Sequence, residues 1–353
     1  MEMIYAIIIV SFFISLMFTP LIIKFAKKFK FVDIPKDERK IHATPMPRIG
    51  GLAIVLGMSF VLFLYYLITK DIASIALNDK FFAYMVGAIV IVAMGFLDDI
   101  YNLRARYKFV FQLIAAFLVY YLGIRIEGVN LPIIYTEFID FGVFALPITM
   151  LWIIAITNAV NLIDGLDGLA AGITSIASTA LLIIFVASSA SLEALVITAA
   201  LVGSVIGFLP FNFNPAKTFM GDVGSNFLGY TLSVVSILGF AKGYTFIAIL
   251  APLLTLGVPI FDTLFAMIRR ILAGKSPLTP DGAHVHHRLL NKGFNQRQSV
   301  LILYTITSVL CTVAVILILS DTYKAIFLVL ITIIFILCLY IINFNNHSTK
   351  KIK

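Results

Sequence analysis

Read from its first residue, the chain alternates long apolar blocks with short polar connections. Eleven blocks approach the length of a membrane span, roughly residues 3–23, 49–69, 82–97, 109–123, 143–160, 169–188, 192–209, 226–240, 244–268, 299–319 and 322–342. A helix crossing the hydrocarbon needs about 20 mostly apolar residues. The blocks lack the strict alternation of a transmembrane barrel strand, so the pattern predicts helices. Some neighbours share tight turns, at Ser188–Ser191, Ala241–Gly243 and Ser320–Asp321, and the count holds to about one helix, with ten as the alternative. The first block lacks the basic leader and small-residue cleavage site of a signal peptide and reads as the first transmembrane helix. With no strong internal repeat and no low-complexity linker, residues 1–343 read as one membrane domain, followed by a basic tail over 344–353. Between Arg125 and Phe141, β-branched and aromatic residues with Gly128 and Pro132 predict a short hairpin or surface loop.

Composition points the same way. Of 353 residues, 61% are hydrophobic and 12% charged, against about 45–50% and about 25% in ordinary soluble domains. So little charge cannot coat a water-soluble surface of this size. A soluble globular enzyme, a disordered chain and a collagen-like fibre are excluded, and the fold class is an all-α polytopic membrane protein. The two cysteines, Cys311 and Cys338, sit inside apolar blocks and report nothing about redox compartment.

The net charge of +8 is explained by where the basic residues fall. Connections 24–48, 98–108, 158–168, 210–225, 269–298 and the tail together hold 21 Lys and Arg; the opposite set holds 5, namely Lys70, Lys80, Arg125, Lys242 and Lys324. Basic loops stay on the cytoplasmic side. Eleven spans then place the N-terminus outside and the C-terminus in the cytoplasm. The basic runs Lys24–Lys30 and Lys36–Lys40 serve topology and lipid headgroups, and nucleic acid is not expected as a partner.

Polar groups at membrane depth are costly and mark function. They cluster on the basic side: His42, Arg48, Asp98, Asp99, Lys108, Asn158, Asn161, Asp164, Asp167, Asn212, Asn214, Asp222, Asn226, His284, His286 and His287. A transport path would place polar groups near the midplane and on both faces. One-sided clustering fits a catalytic surface facing a water-soluble substrate. Adjacent Asp98 and Asp99 repel unless a cation or shared proton relieves them, which suits a metal ligand, a general base, or a solvated helix end countered by Arg104 and Arg106.

In Asn158-Ala-Val-Asn161-Leu-Ile-Asp164-Gly165-Leu-Asp167-Gly168, polar residues at intervals of three line one side of a helix end before two turn glycines. This suits Mg²⁺ and a nucleotide, or a capped structural turn; an EF-hand loop fails on ligand spacing. Gly221 and Gly224 flank Asp222 just before a helix, where phosphate also binds well, the plainer reading being an N-cap with turn glycines. Asp281-Gly-Ala-His284-Val-His286-His287-Arg288 follows Arg269, Arg270 and Lys275. No cysteine partners these histidines, so a cationic grip on a diphosphate fits better than zinc.

Together, His42-Ala-Thr-Pro-Met-Pro-Arg48-Ile-Gly50-Gly51, Asp98-Asp99, Asn158 to Gly168, Phe211 to Ser225 and His284-Val-His286-His287 resemble the polyprenyl-phosphate N-acetylhexosamine-1-phosphate transferase family, the WecA/TagO branch of the superfamily that includes MraY. The resemblance covers nearly the whole chain. It implies a multi-pass protein of the bacterial cell membrane that transfers GlcNAc-1-phosphate, or a related N-acetylhexosamine-1-phosphate, from the UDP-sugar to undecaprenyl phosphate and releases UMP. That is a first membrane step of an envelope glycan such as teichoic acid or O-antigen. It implies Mg²⁺, with Mn²⁺ as a substitute, and a homodimer is one expectation because family members often dimerise.

Carried onto matching positions, Asp222 and Asn161 look like magnesium ligands, and Asp98, with Asp99 beside it, like the group that handles the lipid phosphate. Asp167 and Gly165 match a uracil-recognition turn that includes Asp164. Lys108, His284, His286, His287 and Arg288 look placed for the diphosphate and sugar, with His42 and Arg48 contributing from the first loop. Two departures set the branch. Val285 interrupts the three consecutive histidines of MraY-type enzymes, and Pro47-Arg48-Ile-Gly-Gly replaces their Thr-Met-Gly-Gly. Both disfavour the alternative phospho-MurNAc-pentapeptide transferase. A nucleotide-sugar or lipid transporter remains the reading from another class, but it has no evident use for acids clustered on one face.

Overall fold

The structure is a computed structural model that describes residues 1–33, 45–72, 78–131, 135–240, 246–274 and 284–319. Among these residues the chain forms helices α1 (Glu2–Lys28), α2 (Leu52–Thr69), α3 (Asp79–Tyr101), α4 (Ala105–Tyr121), α5 (Ala145–Ile163), α6 (Leu169–Ala187), α7 (Leu192–Asn212), α8 (Gly221–Phe240), α9 (Phe246–Thr255), α10 (Gly257–Leu272), α11 (Val285–Asn291) and α12 (Gln296–Leu319). Two short antiparallel pairs join them, β1 (Val32–Asp33) with β2 (Met46–Pro47) and β3 (Gly128–Leu131) with β4 (Tyr135–Asp140). The second pair is the hairpin anticipated between Arg125 and Phe141, in a register that sets Gly128 opposite Asp140.

Seven helices among the described residues are long and apolar enough to cross a membrane: α1, α2, α3, α5 with its preceding 3₁₀ turn, α6, α7 and α12. The protein is therefore a polytopic helical membrane protein. The block expected as one span over 244–268 is instead two helices broken at Leu256. Pro259 sits in the first turn of α10, where its missing N–H costs nothing, whereas continuing α9 through it would clash with the carbonyl four residues back. The expected span 322–342, the tail and His42 lie outside the described residues.

α1 is built for lipid. Tyr5, Ile9, Phe13, Met17, Leu21 and Phe25 form an exposed stripe at spacing four, while Ser11, Ser15 and Thr19 are buried against α7 and α2. Large apolar side chains outward and small ones at the helix contact are the membrane pattern, since lipid is as apolar as leucine and close packing holds the helices together. α8 is the opposite case. From Val223 to Gly239 every residue is buried, enclosed by α3, α5, α7, α6 and α2. Because α8 never meets lipid it carries polar side chains, each answered inside the bundle. Tyr84 Oη and Thr231 Oγ1 lie 3.1 Å apart, Tyr230 Oη donates to the Tyr84 carbonyl at 2.7 Å, and Ser236 Oγ accepts from Trp152 Nε1 at 2.9 Å.

The N-terminal turn of α8 is gripped by backbone. A Cβ on Gly51 would lie 2.3 Å from the Gly224 Cα, and one on Gly95 2.4 Å from the Val223 Cα. Only hydrogen fits at either place. The loop before α8 is tied to the chain entering α2 by Phe219 N to Pro47 O at 2.9 Å and Gly51 N to Met220 O at 2.8 Å. These contacts fix the end of α8 that carries Asp222.

Candidate active site

One end of the bundle gathers the C-terminal ends of α3, α5 and α7 with the N-terminal ends of α4, α6, α8 and α12, and nearly all the singled-out polar residues lie there. Asp98 and Asp99 occupy the last turn of α3, both buried. Their roles divide at once. Asp99 accepts from Asp222 N at 2.9 Å on Oδ1 and from Val223 N at 3.0 Å on Oδ2, so its carboxylate caps α8 from a neighbouring helix. The first amides of a helix lack partners within it and carry the positive end of the dipole, which a carboxylate satisfies. Gly221, at φ +73°, makes the turn that presents these amides, and its missing side chain leaves room for Asp99.

Asp98 faces the other way. It forms an ion pair with Lys108 Nζ from α4 and accepts from Leu103 N at 2.7 Å. Lys108 also reaches Asp222 Oδ1 at 3.2 Å, bridging the two carboxylates. Asn161 Nδ2, from the last turn of α5, donates to the same Oδ1 at 2.7 Å and to Ser225 Oγ at 2.8 Å. Asp98, Lys108, Asn161 and Asp222, from four helices, thus form one constellation.

Asp164 caps α5 beside it. Burial, with the Asp222, Asp99 and Asp167 carboxylates adding, pushes its pKa up to about 8. Acid outnumbers base here, and a bound cation would relieve it. Among the described residues no three Asp, Glu, His or Cys side chains form a ready-made metal cage. A cation here would rest on one or two carboxylates and complete its shell with carboxamide, phosphate and water oxygens. That is how Mg²⁺ is usually held at phosphoryl-transfer sites, so the donor set fits it.

Asp167 is turned toward structure. Its Oδ2 accepts from Asn214 Nδ2 at 3.0 Å and Ala216 N at 3.1 Å, pinning the loop between α7 and α8. Gln296 and Arg297 of α12 hold the same loop through Asn214, at 2.8 and 2.9 Å, and Tyr304 Oη donates to the Gly168 carbonyl at 2.5 Å. Arg48 donates to Asn102 Oδ1 at 3.1 Å at the edge of the site.

The histidine segment packs onto this turn. A Cβ on Gly165 would lie 2.3 Å from His286 Nε2, so the imidazole occupies the place a side chain would take. His286 stacks parallel to His284 at 5.9 Å and lies 4.3 Å from His287, centroid to centroid. Burial, with His287 and then His284 adding, pushes His286 down to about 4. At neutral pH it therefore offers a hydrogen bond and not the charge of a cationic grip. Arg288 lies two residues on from His286, half-buried in the same helix α11.

Sequence reasoning missed two organisers. Asp262 of α10 accepts from Val285 N at 2.8 Å and lies 2.8 Å from His284 Nδ1, capping α11 and orienting its leading histidine. Gln112 of α4 joins Asn158 to Asn226 beneath the constellation. Both are polar residues inside apolar blocks, a signal that was available.

Residues 81–240 match the family model described as glycosyl transferase family 4. The chain is 42% identical over 334 residues, 93% of its own length and 90% of the other, to a "Probable undecaprenyl-phosphate N-acetylglucosaminyl 1-phosphate transferase" of Bacillus subtilis (strain 168). It is 36% identical over 299 residues, 79% and 75% of the two chains, to a "Decaprenyl-phosphate N-acetylglucosaminephosphotransferase" of Mycobacterium leprae (strain TN). A "Phospho-N-acetylmuramoyl-pentapeptide-transferase" of Halalkalibacterium halodurans is 33% identical over 322 residues, 85% and 92% of the two chains.

Proposed function

This chain belongs to the glycosyl transferase family 4 of membrane sugar-phosphate transferases, and from that premise we propose that it transfers GlcNAc-1-phosphate from UDP-GlcNAc to undecaprenyl phosphate. The observation that carries the reading is the four-helix constellation of Asp98, Lys108, Asn161 and Asp222 at one end of a membrane bundle. A phosphate oxygen of the lipid attacks the phosphorus next to the sugar. The bond from that phosphorus to the oxygen bridging the two phosphates breaks, and UMP leaves with the bridging oxygen. Greater identity to the N-acetylglucosaminyl enzyme, 42% against 33%, favours this branch over the pentapeptide transferase.

Phosphoryl transfer asks mainly for alignment and charge neutralisation. Bound Mg²⁺ would supply part of that neutralisation, with Asp222 and the Asn161 carboxamide as its protein ligands. Lys108 supplies a second positive charge and steers the diphosphate between Asp98 and Asp222. A lipid phosphate is already largely ionised near neutral pH, its second pKa being about 6, so Asp98 acts chiefly in placing the lipid phosphate, with proton transfer a secondary task. Asp99 holds Asp222 in register through the α8 amides. Asp164 and the His284–Arg288 segment face the nucleotide and sugar, while Asp167 holds the Asn214 loop beside them.

The basic residues support an N-terminus outside and this end of the bundle in the cytoplasm, where UDP-sugars are found. The test is UMP release by the purified protein in detergent, given UDP-GlcNAc, undecaprenyl phosphate and Mg²⁺. Nucleotide binding with no UMP release would favour a transporter instead.

A further inference from the structure

Beneath the constellation, a line of three carboxamides runs from α5 through α4 to α8, and its hydrogen bonds have only one consistent direction. It starts at the Ile154 carbonyl, which can only accept and which takes Asn158 Nδ2 at 2.8 Å. That fixes which end of Asn158 is nitrogen. Asn158 Nδ2 gives its other hydrogen to Gln112 Oε1 at 2.7 Å, and Asn158 Oδ1 accepts from Gln112 Nε2 at 3.3 Å, a reciprocal amide pair. The second hydrogen of Gln112 Nε2 goes to Asn226 Oδ1 at 3.2 Å. Asn226 must then turn its nitrogen outward, and Nδ2 donates to the Asp222 carbonyl at 2.8 Å and approaches Asp222 Oδ1 at 3.5 Å.

Each amide has two donor hydrogens and one acceptor oxygen, and this chain places all of them. Gln112 is 2% and Asn226 1% exposed, so water does not complete the pattern, and an unmet amide there would cost more than at a surface. The Asp222 carbonyl, which can only accept, holds the Asn226 oxygen toward Gln112, so a reversed Gln112 would set oxygen against oxygen there and loosen Asn226.

Resting on the transferase reading above, we infer that Gln112 is a positioning residue: it anchors the Asn226 carboxamide from behind, so that Asn226 Nδ2 stays on the Asp222 carbonyl and within 3.5 Å of the Asp222 carboxylate, and it thereby steadies that carboxylate. Gln112 touches neither substrate nor cation. Its reach comes from α4, the helix that also delivers Lys108 to the same oxygen of Asp222, so the two contacts move together.

The test uses the full-length protein in detergent. Gln112→Glu keeps the shape and removes the donor; Gln112→Leu removes the link altogether. Expected for both is a fall in kcat of about 10- to 100-fold, with the KM for UDP-GlcNAc within about 2- to 3-fold of the parent. The Mn²⁺ concentration giving a half-maximal rise in melting temperature, read without substrate, should increase about 10-fold. Because both residues act through one chain, Gln112→Leu combined with Asn226→Ala should be no slower than Asn226→Ala alone. Normal kcat and an unmoved Mn²⁺ midpoint in Gln112→Glu overturn the inference. So does full multiplication of the two defects in the double variant, or a loss of kcat with no change in the Mn²⁺ response. If Gln112→Leu does not fold, Gln112→Glu decides alone, and if neither folds the residue is a packing element and the inference fails. A parent protein that releases no UMP would sink the transferase reading instead, a result separate from any of these.

Discussion

Asp99 Oδ1 accepts the backbone N–H of Asp222 at 2.9 Å, so of two adjacent acids at the end of one helix, one is spent placing the acid of another. Asp98, its neighbour in sequence, pairs instead with Lys108. Successive positions on a helix point about 100° apart, which is why one of two adjacent carboxylates reaches the α8 amides and the other reaches Lys108.

That division predicts different failures. Asp98→Asn keeps size and loses charge, and should cut turnover by about 10²–10⁴-fold, the typical cost of losing a group of this kind. UDP-GlcNAc binding and the melting temperature should stay near the parent's. Asp222→Ala should lower kcat and raise the Mg²⁺ requirement. Asp99→Ala should fail in both stability and rate, since losing a helix cap costs about 1–2 kcal/mol and frees Asp222 from register. UMP release and thermal unfolding in detergent separate the three. A near-normal rate in Asp98→Asn would remove it from the mechanism.

Orientation predicts labelling. In a background lacking Cys311 and Cys338, single cysteines at Asn102, Lys217 and Lys275 should resist an impermeant thiol reagent in intact cells, while one at Asn130 should react. The reverse result at Lys275 and Asn130 would overturn the orientation and the cytoplasmic UDP-sugar with it.

Sugar choice follows from the interrupted histidines, His284-Val285-His286-His287. Turnover is expected with UDP-GlcNAc or a close N-acetylhexosamine and not with UDP-MurNAc-pentapeptide. Comparable rates with the pentapeptide nucleotide would reject the branch while leaving the family intact.

The buried His286 makes stability depend on acid. Its pKa is pushed down to about 4 by burial, with His287 and His284 adding and Asp262 opposing. An exposed histidine titrates near 6.5. Between those values the unfolded chain binds the proton more readily, so stability is full above about pH 6.5 and declines as pH falls toward 4. The ceiling on this loss is about 3 kcal/mol. Replacing the ring with glutamine (His286→Gln) should flatten that limb of the melting-temperature profile between pH 6.5 and 4. An unchanged slope would mean that the ring does not titrate as a buried group.

The apolar blocks by themselves determined the class of protein and most of its helices, because a chain crossing lipid must satisfy its backbone within each segment, and the blocks record that demand directly. They also single out the polar residues that need a reason, since a charge at membrane depth is costly. Where helices break was harder to read. Leu256 divides an unbroken apolar run, and Pro259 in the turn that follows is a steric feature that hydropathy does not register.

Partners within the site were decided by tertiary structure alone. Asp98 and Asp99 are equivalent in sequence and separate only when α8 places its amides in front of one of them. Asp167 resembled a nucleotide contact and is engaged by the loop of Asn214 and Ala216, 47 and 49 residues away in the chain. Gln112 and Asp262 meet their partners only when other helices pack against theirs. Hydropathy is a property of one segment at a time, whereas hydrogen-bond direction belongs to pairs of groups, and those pairs exist only after helices distant in sequence have packed.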